Sequence, residues 1–258
     1  MLLTCVIRND KIFFGFMREG TLVASAAIGA DVNRTKDEYA VIMKDIFAFR
    51  GFASEDFDDA IMASVVPPLT EVIRDAIRLL LGLRAHLIGS GTRTGMTILT
   101  ENPAELGGDL VAAAVGALEK YKPPMVLLDF GTALTFSAID ENGSYIGCAI
   151  APGIRLSAAA LSNAAELLSR PSDAPPKSVI GKNTAESLRC GSIFGSASMI
   201  DGMLDHMAEV LHQGFTVIAT GDEASTVLPF CRYAITRDDT LFFFGLSVIY
   251  ERNRRKNK

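Results

Sequence analysis

Two stretches of the chain repeat one pattern 123 positions apart, which confines the fold to architectures built from two similar halves. The second copy reads Val126-Leu127-Leu128-Asp129-Phe130-Gly131-Thr132-Ala133-Leu134-Thr135-Phe136 and reaches Gly143. The first reads Leu3-Thr4-Cys5-Val6-Ile7-Arg8-Asn9-Asp10-Lys11-Ile12-Phe13 and reaches Gly20. A constant offset sets Phe13 against Phe136 and Gly20 against Gly143. It also sets Val6 against Asp129 and Arg8 against Gly131, so the copies differ at the turn between their first two strands.

Each copy opens a similar run of elements. Residues 2–7, 11–18 and 21–28 are rich in β-branched and aromatic side chains. The turn signals Arg8-Asn9-Asp10-Lys11 and Arg18-Glu19-Gly20 separate them, which predicts three strands. Residues 125–130, 133–139 and 145–150 restart that three-strand text after Pro123-Pro124. Thr35-Lys36-Asp37-Glu38 reads as a capping box opening a helix to about residue 50. Its Tyr39, Val41, Ile42, Ile46 and Phe47 recur at helical spacing. A strand over 59–66, a helix from Pro67-Pro68 to about 81, a short strand over 85–89 and an alanine-rich helix over 110–120 complete the first half. The second half continues with a helix over 154–169, a loop-rich stretch over 170–183 and a long helix from Thr184 to about 212. A strand over 215–220 and a last helix over 244–252 follow. Such halves predict an α/β, duplicated actin/hexokinase-like ATPase (ribonuclease H-like) fold. Residues 1–117 and 118–258 are its two expected halves, around a nucleotide cleft.

Composition narrows the partners. A net charge of −5 argues against nucleic acid as the main partner. No apolar run reaches the roughly 18 residues that span a bilayer, so no membrane partner is expected. Residues 1–7 lack the flanks of a secretory signal and read as a strand. Cys5, Cys148, Cys190 and Cys231 form no C-x-x-C pair and read as free, buried thiols of a cytoplasmic chain. His86, His206 and His212 lack zinc-site spacing. The basic end, 252–258, reads as a solvated terminus.

Asp129-Phe130-Gly131-Thr132-Ala133 is the sharpest motif. Gly131 lets the backbone approach a phosphate, and successive N–H groups with the Thr132 hydroxyl can donate to it. Asp129 can hold a cation, directly or through water. Alone, the motif fits equally a glycine turn whose aspartate satisfies backbone N–H groups. Asp109, after Gly107-Gly108 at a helix start, reads on its own as a helix cap.

The chain also carries Asp37-Glu38-Tyr39 after Arg34-Thr35, Ser64-Val65-Val66-Pro67-Pro68-Leu69, Ala149-Ile150-Ala151-Pro152-Gly153 and Val179-Ile180-Gly181-Lys182-Asn183-Thr184. Ala219-Thr220-Gly221 and Ile249-Tyr250-Glu251-Arg252-Asn253 follow. In this order and at these spacings the motifs resemble the type III pantothenate kinases, also called the Bvg accessory factor family, over essentially the whole chain. The resemblance implies ATP-dependent phosphorylation of the 4′-hydroxyl of pantothenate, the first step of coenzyme A synthesis. It implies a cytoplasmic homodimer that uses Mg2+ and a monovalent cation, K+ or NH4+. By the same resemblance Asp109 is the general base, Asp129 the monovalent-cation ligand, and Asn9, Asp10, Gly131 and Thr132 lie at ATP. Gly107, Gly108 and Thr184 lie at the substrate, Thr184 near the dimer interface.

Departures from the family pattern cluster at these positions. Where the family's first turn reads Asp-x-Gly-Asn-Thr, this chain has Val6-Ile7-Arg8-Asn9-Asp10. The family's Gly-Ala-Asp-Arg becomes Gly107-Gly108-Asp109-Leu110, and Thr100 stands where an aromatic pantothenate contact is expected. Three readings stay open on sequence alone. One is a kinase with a remodelled site. Another is a non-catalytic paralogue acting as a binding, regulatory or heterodimer subunit beside an intact homologue. The third is a kinase for another small hydroxy compound. On this alignment, Val6→Asp with Arg8→Gly is expected to strengthen Mg-ATP binding.

Overall fold

The computed structural model describes residues 1–164, 175–212 and 214–254. The chain opens with β1 (Leu2–Ile7), β2 (Lys11–Arg18), β3 (Thr21–Gly29), α1 (Lys36–Phe49), β4 (Asp59–Ser64), α2 (Pro67–Leu81), β5 (His86–Leu87) and α3 (Gly108–Lys120). It continues with β6 (Met125–Phe130), β7 (Ala133–Ile139), β8 (Tyr145–Pro152), α4 (Ile154–Ala164), α5 (Thr184–Leu211), β9 (Thr216–Thr220), α6 (Ala224–Val227), β10 (Ile235–Arg237) and α7 (Leu241–Arg254). Residues 165–169 of the expected helix, and 255–258 of the basic end, lie outside the described residues.

Two compact units result. The first comprises Met1–Thr97, Glu101–Lys120 and Thr240–Lys258; the second comprises Ile98–Thr100 and Tyr121–Asp239. The chain passes from the first unit to the second between Lys120 and Tyr121, and the last helix belongs to the first unit.

Each unit holds a five-stranded sheet of the same topology. The orders are β3-β2-β1-β4-β5 and, read in the same sense, β8-β7-β6-β9-β10. In both, the first three strands form an antiparallel meander and the fourth pairs parallel with the first. The duplication read from the sequence is therefore a duplication of architecture.

The register corrects one detail of that alignment. Val6 pairs with Phe13, whereas Asp129 pairs with Thr135 rather than Phe136. The turn after β1 is one residue longer than the turn after β6, so the constant offset fails across β2 and β7. Both meanders carry an irregularity near the far end, at Phe16/Met17 and Ala138/Ile139.

Local chemistry accounts for the elements. The Glu38 N–H donates to Thr35 Oγ1 (3.3 Å) and the Thr35 N–H donates to Glu38 Oε2 (2.7 Å), completing the capping box of α1. Proline opens α2, and Gly82 ends it in the left-handed region at φ 69°. Phe16 lies in edge contact with Phe47 (4.9 Å between centroids) beside Phe52 and Phe57, under α1. Burying side chains of this size stabilises the first unit by about 1.5–3 kcal/mol each. Helices α3 and α7 cross at glycines. A Cβ at Gly116 would collide with the Leu241 carbonyl, and one at Gly245 with the Ala112 carbonyl.

The buried-thiol expectation holds for Cys5 and Cys190, but Cys148 is exposed because it points outward from the edge strand β8. Burial pushes the Cys231 thiol up to about 11. Among the described residues no helix is long and apolar enough to cross a membrane.

Candidate active site

Each unit carries its own set of candidate groups at the end of its first strand. In the second unit, β6 delivers Asp129 one residue before the strand ends. The parallel partner β9 sets Thr220 beside it and the antiparallel partner β7 sets Thr135 on its other side. Residues paired across adjacent strands share one sheet face, so the three polar side chains stand in a row. All are buried: Asp129 is 6% exposed, Thr135 8% and Thr220 2%. The Oγ1 atoms of Thr135 and Thr220 have no hydrogen-bond partner among the described residues.

The turn that follows is shaped by close backbone approach. The Gly131 N–H donates to the Ala133 carbonyl (3.0 Å), and the Gly153 N–H donates to the Thr132 carbonyl (2.9 Å). A Cβ at Gly153 would fall on the Gly131 and Thr132 carbonyls. Gly221, at φ 107°, packs against the Phe130 carbonyl, where a Cβ would likewise collide. The Ala149–Gly153 and Ala219–Gly221 motifs are thus the two walls of this turn. Thr132 at its tip is exposed, with its hydroxyl accessible to a ligand.

The equivalent row in the first unit is apolar. Val6 pairs with Phe13 and Ala63, and both Val6 and Ala63 are fully buried. Arg8 begins the turn, its N–H donating to the Lys11 carbonyl (2.9 Å), while Asn9 and Asp10 are exposed. The Arg8 side chain turns inward. Its Nε lies 3.1 Å from Asp109 Oδ2, with both side chains about 10% exposed. Its guanidinium sits over the Phe242 ring, 5.3 Å from the centroid. Asp109 stands in the first turn of α3, where the helix dipole favours a carboxylate. Its Oδ1 accepts from the Leu110 N–H (2.9 Å). Gly107 and Gly108 precede it under tight packing; a Cβ at Gly107 would come within 2.7 Å of Asp109 Oδ1.

Thr184 stands apart within the second unit. It is the exposed first residue of α5, after the cap in which Asn183 Oδ1 accepts from the Glu186 N–H (2.9 Å). It lines a groove of about 390 Å³ with Ser157, Ala158 and Leu161 of α4 and Leu188 and Ser192 of α5; Asp129, Gly131 and Thr132 do not line it. Thr100 belongs to a short segment tied to β8, the Leu99 N–H donating to the Tyr145 carbonyl (2.8 Å). Its Oγ1 is buried without a partner among the described residues.

The Arg252–Asn253 motif clamps a loop of the first unit. Asn253 Oδ1 accepts from the Arg93 N–H (3.1 Å), its Nδ2 donates to the Arg93 carbonyl (3.0 Å), and Arg252 donates to the Thr94 carbonyl.

Residues 2–206 match the family model described as type III pantothenate kinase. A type III pantothenate kinase of Pelobacter propionicus is 39% identical over 254 residues, 98% of this chain and 100% of the relative. The chain belongs to the type III pantothenate kinase family.

Two solved structures share its fold. A conserved Baf family protein from Campylobacter jejuni has a TM-score of 0.61 at 18% identity, covering 98% of this chain and 99% of that one. The activator of 2-hydroxyisocaproyl-CoA dehydratase from Clostridium difficile, solved with bound ADPNP, has a TM-score of 0.55 at 10% identity, covering 99% and 96%. The duplicated sheets and these neighbours give the actin/hexokinase-like ATPase fold. Within the type III family, the second unit keeps the Asp-x-Gly-Thr turn intact. In the first unit an arginine reaches Asp109.

Sequence reading did not single out Thr220 as a site residue, nor the inward course of Arg8. Thr220 was signalled by its place at the end of a strand, before a glycine. The pairing of Arg8 with Asp109, distant in sequence, had no local signal.

Proposed function

We propose that this chain phosphorylates the 4′-hydroxyl of pantothenate with ATP, as a soluble cytoplasmic enzyme with no nucleic-acid or membrane partner. Family membership over nearly the whole chain, with an intact Asp129–Thr132 turn and a buried Asp109, carries this reading. Phosphoryl transfer asks the protein for positioning and charge stabilisation more than for covalent chemistry. The acceptor oxygen forms its bond to the γ-phosphorus while the bond from that phosphorus to the β-bridging oxygen breaks. ADP leaves, and Asp109 takes the acceptor proton. The Gly131 and Thr132 turn, with Asn9 and Asp10, would bind ATP phosphates; Gly107, Gly108 and Thr184 would hold the acceptor.

The residues present fit a cation. Asp129 supplies a carboxylate, and the orphaned hydroxyls of Thr135 and Thr220 supply two more oxygens in the same row. We assign this row to K+ or NH4+, which would neutralise charge near the phosphates when bound. Mg2+ commonly takes few protein oxygens and the rest from nucleotide and water, so it would come with ATP. A homodimer in which Thr184 lies near the interface accords with its exposed position at the head of α5. The open α4–α5 groove fits that reading as well.

The test is ADP release with Mg-ATP, K+ and pantothenate, with Asp109→Asn as control. Pantothenate-dependent release that falls about 100-fold or more in the control supports the kinase. Folded protein that releases no more ADP than the control gives the chain to the non-catalytic subunit reading. A heterodimer with an intact homologue is the next assay in that case. Leu110 and Thr100 alter the acceptor side. Release driven by a different small hydroxy acid, and not by pantothenate, would establish a changed acceptor.

A further inference from the structure

We propose that Arg8 is a latch on Asp109, and that a phosphate chain must take over the Arg8 guanidinium before Asp109 becomes available to an acceptor hydroxyl. The inference rests on the reading of Asp109 as the general base and goes beyond it by naming what holds that base in the free protein.

Asp109 is held from two sides, by an ion pair to Arg8 and by a backbone hydrogen bond, although the Arg8 Nε–H is not aligned for a hydrogen bond to it. Oδ2 faces Arg8 Nε at 3.1 Å and Oδ1 accepts from the Leu110 N–H. A carboxylate so held, with only about a tenth of its side chain exposed, offers an incoming hydroxyl little open surface. The guanidinium is not placed there by chance of the surface. It is buried, stacked over Phe242 and anchored on the rigid turn that ends β1. Arginine is also the side chain best shaped to exchange one anion for another, because its planar fork suits carboxylate and phosphate alike. The paired strand positions beside this turn, Val6, Phe13 and Ala63, are apolar. The turn in question is the first-unit counterpart of the Gly131–Thr132 turn. A phosphate arriving at Arg8 would pull the guanidinium from Asp109 and uncover the base at the moment the donor is in place. Idle proton transfer without nucleotide would thereby be suppressed.

The latch makes an opposite-signed prediction that a merely structural ion pair does not. Inorganic tripolyphosphate, titrated by calorimetry in EDTA, is the probe. Asp109→Asn removes the competing anion while keeping shape, so it should bind tripolyphosphate about tenfold more tightly than the wild type. Arg8→Met should bind it about tenfold or more weakly. Arg8→Lys stands in where Arg8→Met does not fold, with a smaller loss in the same direction. Tripolyphosphate should also raise the melting temperature of Asp109→Asn more than that of wild type, because it binds the folded variant more tightly. Equal affinity in wild type and Asp109→Asn, weaker affinity in Asp109→Asn, or no binding by any variant would overturn the latch. No pantothenate and no turnover enter this measurement, so it can fail while Asp109-dependent ADP release stands, and the reverse.

Discussion

A threonine hydroxyl buried without a partner costs about 1–3 kcal/mol relative to a paired one, and the second unit holds two beside a buried aspartate. A bound group that paired these hydroxyls would recover that cost, and the proposed K+ or NH4+ beside Asp129 is such a group. Thr220→Val keeps the shape and removes the orphan. Its melting temperature should rise in K+-free buffer by the equivalent of about 1 kcal/mol. The stabilisation by KCl expected of the wild type should shrink. Calorimetric melts in KCl and in an organic-cation buffer separate the two effects. A variant that melts lower in both would mean that the hydroxyl is satisfied within the protein. Acid sensitivity is also a residue-scale matter. The Thr35 N–H and hydroxyl hold Glu38 below the usual carboxylate range, the N-terminal ammonium does the same for Asp58, and Tyr233 with Arg232 for Asp205. Groups lowered in the folded state contribute stability above their unfolded pKa values. They lose it as pH falls through the lower folded ones. Glu38→Gln should therefore be less stable than wild type at pH 7, with the difference closing as pH falls through the lowered folded pKa of Glu38. A difference that persists unchanged into acid would show that the Glu38 charge contributes nothing to the cap.

At the scale of elements, the crossing of α3 and α7 sets the Arg8–Asp109 pair, because Asp109 lies at the start of one helix and Phe242, under Arg8, at the start of the other. Gly245→Ala gains about 1 kcal/mol of helix propensity. It also drives a methyl into the Ala112 carbonyl. The expected net result is a loss of about 1–3 kcal/mol, read by denaturant melts. An increase in stability would place the helices farther apart than the crossing described. Much at this scale was legible beforehand. Runs of β-branched and aromatic residues between turn signals gave both meanders, the Thr35–Glu38 spacing gave α1, and Pro67-Pro68 gave the start of α2. What escaped has physical reasons. The strand β10 is three residues long and too short for periodicity to show. The last helix begins at Leu241, ahead of the expected 244, because its first residues are an unbroken apolar run buried on α3. The extra residue in the first turn was masked by a coincidence of phenylalanines at a constant spacing. Arg8 looked like a solvated turn residue because turns are polar, and only the fold brings Asp109 to it.

Over the whole molecule, one architecture occurs twice with opposite chemistry at the same place. The row Asp129, Thr135, Thr220 in one unit is Val6, Phe13, Ala63 in the other. All three positions differ in the same sense, so the first unit is not a copy that lost one aspartate. Its strand end has been rebuilt as apolar packing, with Phe13 against Phe242 (5.5 Å between centroids) and the positive charge moved to Arg8. This revises what restoration of the family turn should do. Val6→Asp would bury a carboxylate between Phe13 and Ala63, costing about 3–5 kcal/mol as an uncompensated charge. Arg8→Gly would also remove the ion pair between Arg8 and Asp109. The double variant Val6→Asp/Arg8→Gly is therefore expected to melt well below wild type and to bind Mg-ATP no more tightly. Asp129→Val, in the unit whose neighbours are hydroxyls, should weaken Mg-ATP binding with a smaller stability loss. Melts and calorimetry on the two variants decide between the accounts. Tighter Mg-ATP binding by a stable double variant would mean that the first turn is an eroded phosphate loop. The expected pattern would mean that the two units have divided the work, one binding through a polar row and the other through a single guanidinium.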